Sequence, residues 1–269
     1  MKIKLSILIL LFSVQIYAAE RGIYSAVSAA GGINPTIARV SAEAWYRFPL
    51  FSDPGVLWNT SCIDLGLGGS TTPVDYNGSL FFNIEPIAIF NLKLTAGVQR
   101  YHRALGYGYQ GVDSPDADYS PAARENIDGE SKTAFKFSAE PTVKFRYGRV
   151  IFANTFALNY INTQTDDEYY YEPYSDSIHK RKDRDYSNST VLLYEITGGL
   201  LAGVQNFYNR TGSVDCTSNR IAGIVIWKPE YGSPGRISIG AMTGSYTENK
   251  NYKGDLFTLV FVSFNMKGE

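Results

Sequence analysis

The feature that most constrains this chain is the strict alternation from Lys132 to Arg146. Lys132, Ala134, Lys136, Ser138, Glu140, Thr142, Lys144 and Arg146 fall on one face of an extended chain. Thr133, Phe135, Phe137, Ala139, Pro141, Val143 and Phe145 fall on the other. Period two is the signature of a β-strand. Here one face is charged and the other almost wholly apolar. A soluble sandwich would bury the apolar face and wet the charged one. A barrel in lipid turns the apolar face outward and lines its lumen with the charges.

The pattern recurs. In Ala38–Phe48, Arg39, Ser41, Glu43, Trp45 and Arg47 oppose Ala38, Val40, Ala42, Ala44, Tyr46 and Phe48. Leu57–Gly68, Leu92–Arg103 and Val150–Tyr160 divide in the same way. Asn219–Lys228, Arg236–Tyr246 and Leu256–Met266 alternate less cleanly. Short connections are expected at 52–55, around Asn91, at Tyr147-Gly148, at Gly198-Gly199 and at 231–235. Longer polar ones are expected around Gly31–Pro35, Thr72–Asn77, Tyr107–Glu130, Gln164–Asn188, Thr211–Ser218 and Asn249–Lys253. Short and long connections alternate, as when periplasmic turns and external loops join the strands of a membrane barrel. The expected fold is all-β: a transmembrane antiparallel up-and-down β-barrel of about 12 strands.

The N-terminus reads as an export signal. Lys2 and Lys4 precede the apolar run Leu5–Val14, and Ala18-Ala19 suit cleavage. The run is too short for a spanning helix, which takes about 20 residues. Residues 1–19 are therefore expected to be removed, leaving 20–269 as one barrel domain in an outer membrane. Losing Lys2 and Lys4 from 25 basic residues, against 26 acidic ones, leaves a slightly acidic chain. That balance gives no reason to expect nucleic acid as a partner. With two cysteines (Cys62, Cys216) and two histidines (His102, His179), neither a metal site nor another cofactor is expected. In an oxidising compartment the cysteines could pair, but the strand map puts Cys62 mid-wall and Cys216 in a loop.

An internal repeat supports the map. Leu94–Gln99 and Leu200–Gln205 differ at one position, Thr95 against Leu201, and each lies between a short turn and an aromatic lumen position, Tyr101 or Phe207. Glu85, Glu140 and Glu195 are evenly spaced on the strands before the turns. Pro86 and Pro141 each remove a ladder hydrogen bond and predict bulges. The lumen or constriction candidates are Arg39, Glu43, Arg47, Glu85, Lys93, Lys136, Glu140, Lys144 and Glu195. They form either a structural belt of ion pairs or a mixed-charge constriction that selects solutes.

In alternation, turn–loop rhythm and export signal, the whole chain resembles bacterial outer-membrane β-barrel proteins of the porin-like kind. Tyr252–Leu259 resembles their C-terminal assembly signal, and either Phe257, Leu259 and Phe261 or Val260, Val262 and Phe264 supply the terminal apolar run; Asn265–Glu269 departs from the pattern. The resemblance implies outer-membrane lipid, lipopolysaccharide and the barrel-assembly machinery as partners. It makes a narrow channel for small hydrophilic solutes the leading function. The alternative is a plugged barrel that binds or supports through loops 107–130 and 164–188, with Asp166, Asp167, Tyr169, Tyr170, Lys180 and Arg181 as ligand candidates. The second loop also suits an inward fold that narrows the pore. A surface hydrolase ranks third. Neither histidine sits in the His-x-Ser pattern of outer-membrane phospholipases. Asp166-Asp167 lacks the Asp-x-His of omptin-type proteases, and His102 has no assignable partner. No catalytic residue is assigned, and the protein is not expected to be an enzyme.

Overall fold

The computed structural model describes residues 19–33, 37–51, 55, 57–104, 108–172, 177–229 and 237–267. The expected signal segment thus lies outside the described residues, apart from Ala19, as do the turn residues 52–54 and 231–235. Twelve strands form the wall: β1 (Gly22–Ile33), β2 (Ile37–Pro49), β3 (Cys62–Thr71), β4 (Asp75–Ile87), β5 (Phe90–Tyr101), β7 (Thr133–Tyr147), β8 (Val150–Gln164), β11 (Lys182–Thr197), β12 (Leu200–Thr211), β13 (Thr217–Trp227), β14 (Ile237–Glu248) and β15 (Leu256–Lys267). Each pairs antiparallel with its neighbours, and β15 closes on β1 from Tyr24↔Lys267 to Ile33↔Thr258. Three short strands, β6 (Gln110–Val112), β9 (Tyr169–Glu172) and β10 (Ser177–Lys180), form a separate sheet, and α1 (Pro121–Arg124) is a single turn.

The alternation places every wall residue. Phe135 and Phe145 are 50% and 49% exposed outside the barrel, while Ala134 and Glu140 on the inner face are 0% and 8% exposed. Leu67, Leu80, Val98, Leu192, Val204 and Val260 continue the outer apolar band. Closure gives each wall strand two hydrogen-bonded neighbours, so the wall itself has no open edge. At about 3.4 Å per residue, strands of 10 to 16 residues are long enough to cross a hydrocarbon layer at a tilt. Gly148 and Gly199 take positive φ (56° and 83°) in the two-residue turns β7–β8 and β11–β12, where a Cβ would be strained.

The connections correct the expected rhythm. Gly31–Ile33 and Asp75–Asn77 belong to the wall, so the β3–β4 link narrows to 72–74, and the β1–β2 link 34–36 lies outside the described residues. At the opposite end the β2–β3 link runs from 50 to 61, with a turn at Leu57–Thr60, so Leu57–Ser61 is not strand. Asn91 lies in β5, and its turn is Ala88-Ile89. At the loop end, 102–132 and 165–181 are the long links. Lys182–Asn188, expected in a loop, are wall residues of β11. The register shifts near Pro86, as expected. At Pro141 the β7–β8 ladder skips two residues and resumes unshifted, whereas an unexpected shift lies between Glu195 and Thr197. Cys62 and Cys216 are free. Cys62 opens β3 at the turn end rather than lying mid-wall, and Cys216 sits at the loop end, a full strand away.

A polar cluster on β8 and β11 interrupts the outer band. Asn154 Nδ2 donates to Asn188 Oδ1 (3.0 Å) and Thr190 Oγ1 (2.7 Å), and Asn188 Nδ2 donates to Asn154 Oδ1 (3.2 Å). Apolar Phe152, Phe156, Tyr186 and Leu192 flank these positions on the same strands. Away from water such groups must satisfy one another. Asn188→Leu leaves the Asn154 carbonyl without its donor and should cost about 1–3 kcal/mol in liposome unfolding. Replacing all three by Leu, Leu and Val should recover most of that loss; a triple variant as unstable as the single one would show that the cluster does not act as a unit.

Candidate functional site: the inner face and mouth of the barrel

All nine lumen candidates lie on the inner face. Arg47 holds Asp64 through two hydrogen bonds (2.7 and 2.8 Å), and Asn83 adds a third (3.3 Å). Lys93 reaches Glu43 at 2.9 Å, three strands away, and Lys144 meets Glu85 at 2.7 Å. Arg146 binds Glu195, and Arg39 donates to Ser70 Oγ. Glu140, beside Lys93 in register, accepts from Ser138 Oγ at 2.8 Å. Lys136 faces Glu172 of the mouth sheet at 3.5 Å. These pairs keep contact with solvent: Glu43 and Arg146 side chains are 38% and 35% exposed.

The opposite wall is different. Leu193, Leu201, Ile224, Ile226, Met242 and Leu259 turn inward and form one apolar cluster over β11–β15. The last strands alternate poorly in sequence because both of their faces are apolar. In β15, Phe257, Leu259 and Phe261 face inward and Val260 and Val262 outward. The strand continues through Asn265–Lys267, paired with Tyr24–Ala26.

The long loops fold across the mouth instead of standing in solvent. β9 pairs with both β6 and β10. The Tyr101 hydroxyl donates to Glu172, which ties β9 to the β5–β7 side. Thr211 Oγ1 donates to Ser177 Oγ (3.0 Å), which ties β10 to β12. Buried Arg124 stacks on Tyr171 (4.0 Å) and donates to the Tyr252 hydroxyl (3.2 Å), and Gln110 Nε2 donates to the Arg124 and Ile127 carbonyls. Lys250 Nζ clamps the Asp116 carbonyl at 2.8 Å. Tyr109 and Tyr170 stack in one apolar cluster, and Tyr119 and Tyr171 in another.

This arrangement divides the loop candidates. Asp166, Asp167 and Arg181 are exposed, and Tyr169 and Lys180 half-buried with their cation 5.5 Å from the ring. Tyr170 is fully buried and is no surface ligand residue. His102 Nε2 meets the Pro73 carbonyl at 2.9 Å beside Tyr76.

The sequence reading missed a Ser–His–Asp grouping. Ser177 Oγ lies 3.1 Å from His179 Nε2, and His179 Nδ1 lies 3.9 Å from Asp183 Oδ2. The second separation is longer than a hydrogen bond. Ser177 is 2% exposed and its oxygen accepts from Thr211, and Asp183 also accepts from the Lys180 and Ser213 backbones. The geometry pins the hairpin to β11 and β12 and keeps the hydroxyl buried. Among the described residues no group of three or more His, Cys, Asp or Glu could hold a metal ion.

Burial pushes the phenols of Tyr109, Tyr170 and Tyr171 up, the latter two well above the usual value. The folded mouth therefore prefers the neutral phenol. Its stability should hold below pH of about 10, where unfolded tyrosine ionises, and fall as the pH rises beyond it. Tyrosinate absorbance should show a late, cooperative phase that a chain lacking 165–181 does not have; a single simple titration in both would contradict this.

No family model and no curated protein matches the chain. Among solved structures, the outer-membrane channel of Pseudomonas putida F1 superposes with a TM-score of 0.46 at 9% identity, covering 95% of this chain and 100% of that one. The loop-deleted OmpT of Vibrio cholerae gives 0.42 at 8%, covering 93% and 100%. The KdgM porin gives 0.40 at 8%, covering 90% and 98%.

Proposed function

We propose that the protein is an outer-membrane channel for small polar solutes, with a mixed-charge lumen and a mouth narrowed by its own loops. The observation that carries this reading is the belt of opposed charges: Lys93–Glu43, Lys144–Glu85 and Arg146–Glu195 bridge separate strands and remain partly wet. Rings of charged side chains select ions at close quarters. The apolar exterior supports a bilayer as its surroundings. The second reading, a barrel that acts by binding at its loops, is supported by the folded mouth sheet and its exposed Asp166, Asp167 and Arg181.

Planar-bilayer recording separates the two. The channel reading expects small, resolvable conductance steps. Glu85→Gln strands the Lys144 ammonium in the lumen and should shift the reversal potential toward anion preference. A barrel that shows no conductance even without residues 165–181 would remove the channel reading.

A further inference from the structure

Close to the mouth, the adjacent strands β11 and β12 turn Lys182, Arg184 and Arg210 outward, and all three are exposed. Among the described residues no carboxylate pairs with Lys182 or Arg184. The acids that alternate with them, Asp183 and Asp185, point inward and are buried. Arg210 holds Asp215 at 2.7 Å, but an exposed pair of this kind contributes little and yields to a stronger anion. Arg100, outward on β5, is instead engaged with Thr133 Oγ1 at 2.7 Å.

What lies below these cations sets the kind of ligand. One pleat toward the turn end, Tyr186 follows Arg184 and Tyr208 follows Arg210, and Tyr160 stands beside Arg184 in register. Exposed phenols at the end of an outer apolar band mark the level where hydrocarbon gives way to headgroups. Next come the outward amides Asn188 and Asn206, and then Leu192 and Val204, both exposed. The outer wall thus presents cations, phenols, amides and aliphatic groups in that order. A membrane lipid presents the complement in the same order: phosphate, polar linkage and hydrocarbon chain. At about 3.4 Å per residue along a strand and about 5 Å between strands, the three cations span roughly 15 Å. That is wider than a single phosphate group can contact. An arginine fork takes phosphate through paired hydrogen bonds, and a lysine adds a point charge.

We propose that the loop-end outer face of β11 and β12 binds a membrane lipid that carries two phosphate groups. One phosphate rests on Lys182 and Arg184 and the other on Arg210, with the chains along Leu192 and Val204. The site needs a bilayer around the wall and makes no use of the lumen, so it stands or falls apart from the channel reading.

Protein extracted from membranes into a neutral detergent is titrated with diphosphoryl lipid A, monophosphoryl lipid A, phosphatidylglycerol or phosphatidylcholine. Native mass spectrometry reads the lipid-bound fraction. Diphosphoryl lipid A is expected to bind about tenfold or more tightly than the monophosphoryl form or phosphatidylglycerol, with phosphatidylcholine weakest. Lys182→Gln/Arg184→Gln should weaken diphosphoryl lipid A about tenfold or more. Arg210→Gln should bring it close to the monophosphoryl form. Arg100→Gln should bind as the parent does. Heat-modifiable migration checks that each variant is folded. Equal binding of the two lipid A forms by the parent, or a double variant that binds as tightly as the parent, would overturn the assignment. A loss in Arg100→Gln as large as that in the double variant would reduce the effect to general surface charge and overturn it as well.

Discussion

Excising residues 165–181 and joining Gln164 to Lys182 by a short turn should raise single-channel conductance severalfold, the largest change expected for the loops. The segment carries β9 and β10, which reach from Tyr101 and Lys136 on one side of the mouth to Thr211 on the other. Because β8 and β11 are already paired from Asn162↔Lys182 to Val150↔Tyr194, the wall register does not depend on the excised residues. Their removal also takes away Tyr170 and Tyr171, on which Tyr109, Tyr119 and Arg124 of the 102–132 loop stack. Glu172→Gln should give a smaller effect in the same direction: more frequent openings in an otherwise intact barrel. Conductance unchanged by the excision would mean that the loops stand clear of the solute's path.

Arg47→Met should be the most damaging single change in the wall, at about 3–5 kcal/mol. Arg47 supplies two hydrogen bonds to Asp64, whose side chain is only 6% exposed, and Asn83 alone remains to oppose that charge. The Arg47 side chain is also within cation–π distance of Tyr24 at 4.8 Å, so packing is lost together with charge. Urea unfolding in liposomes at neutral pH should show the full deficit. The double variant Arg47→Met/Asp64→Asn should lie closer to the parent than the single one. A double variant as unstable as Arg47→Met would mean that packing, and not the stranded carboxylate, sets the cost.

How legible the molecule was depends on whether one face of a segment differs from the other. Lys132–Arg146 sorts itself because its inner residues are charged and its outer ones aromatic, and the structure keeps that sorting residue by residue. Ile221–Trp227 and Leu256–Phe264 are apolar on both faces, so period two vanishes from the sequence although the strands are regular. That blurring is itself the trace of the apolar inner wall. Polar residues misled at two loop-end links: Gly31, Gly32, Asp75 and Asn77 suit a loop, yet they are held in the ladder by neighbours distant in sequence. The mouth was least legible. The Tyr169–Tyr171 run is uniform in sequence and shows no period of two, and the groups that bury it, Tyr109, Tyr119 and Arg124, come from another loop. A tyrosine-rich acidic segment on its own looks like a solvated one.

The closure between β1 and β15 carries a kinetic consequence. Its ten residue pairs join the two ends of the chain, Ser25 to Met266 and Ile33 to Thr258 among them, the longest sequence separations the fold contains. Contacts of that kind form late, because the intervening chain must be ordered before they are rewarded. Until the last strand arrives, β1 and β14 each expose an unpaired edge, a template for pairing with any other extended chain. The protein is thus most exposed to misassembly just before its final strand docks, and the slow step of its folding is written in its first and last dozen wall residues.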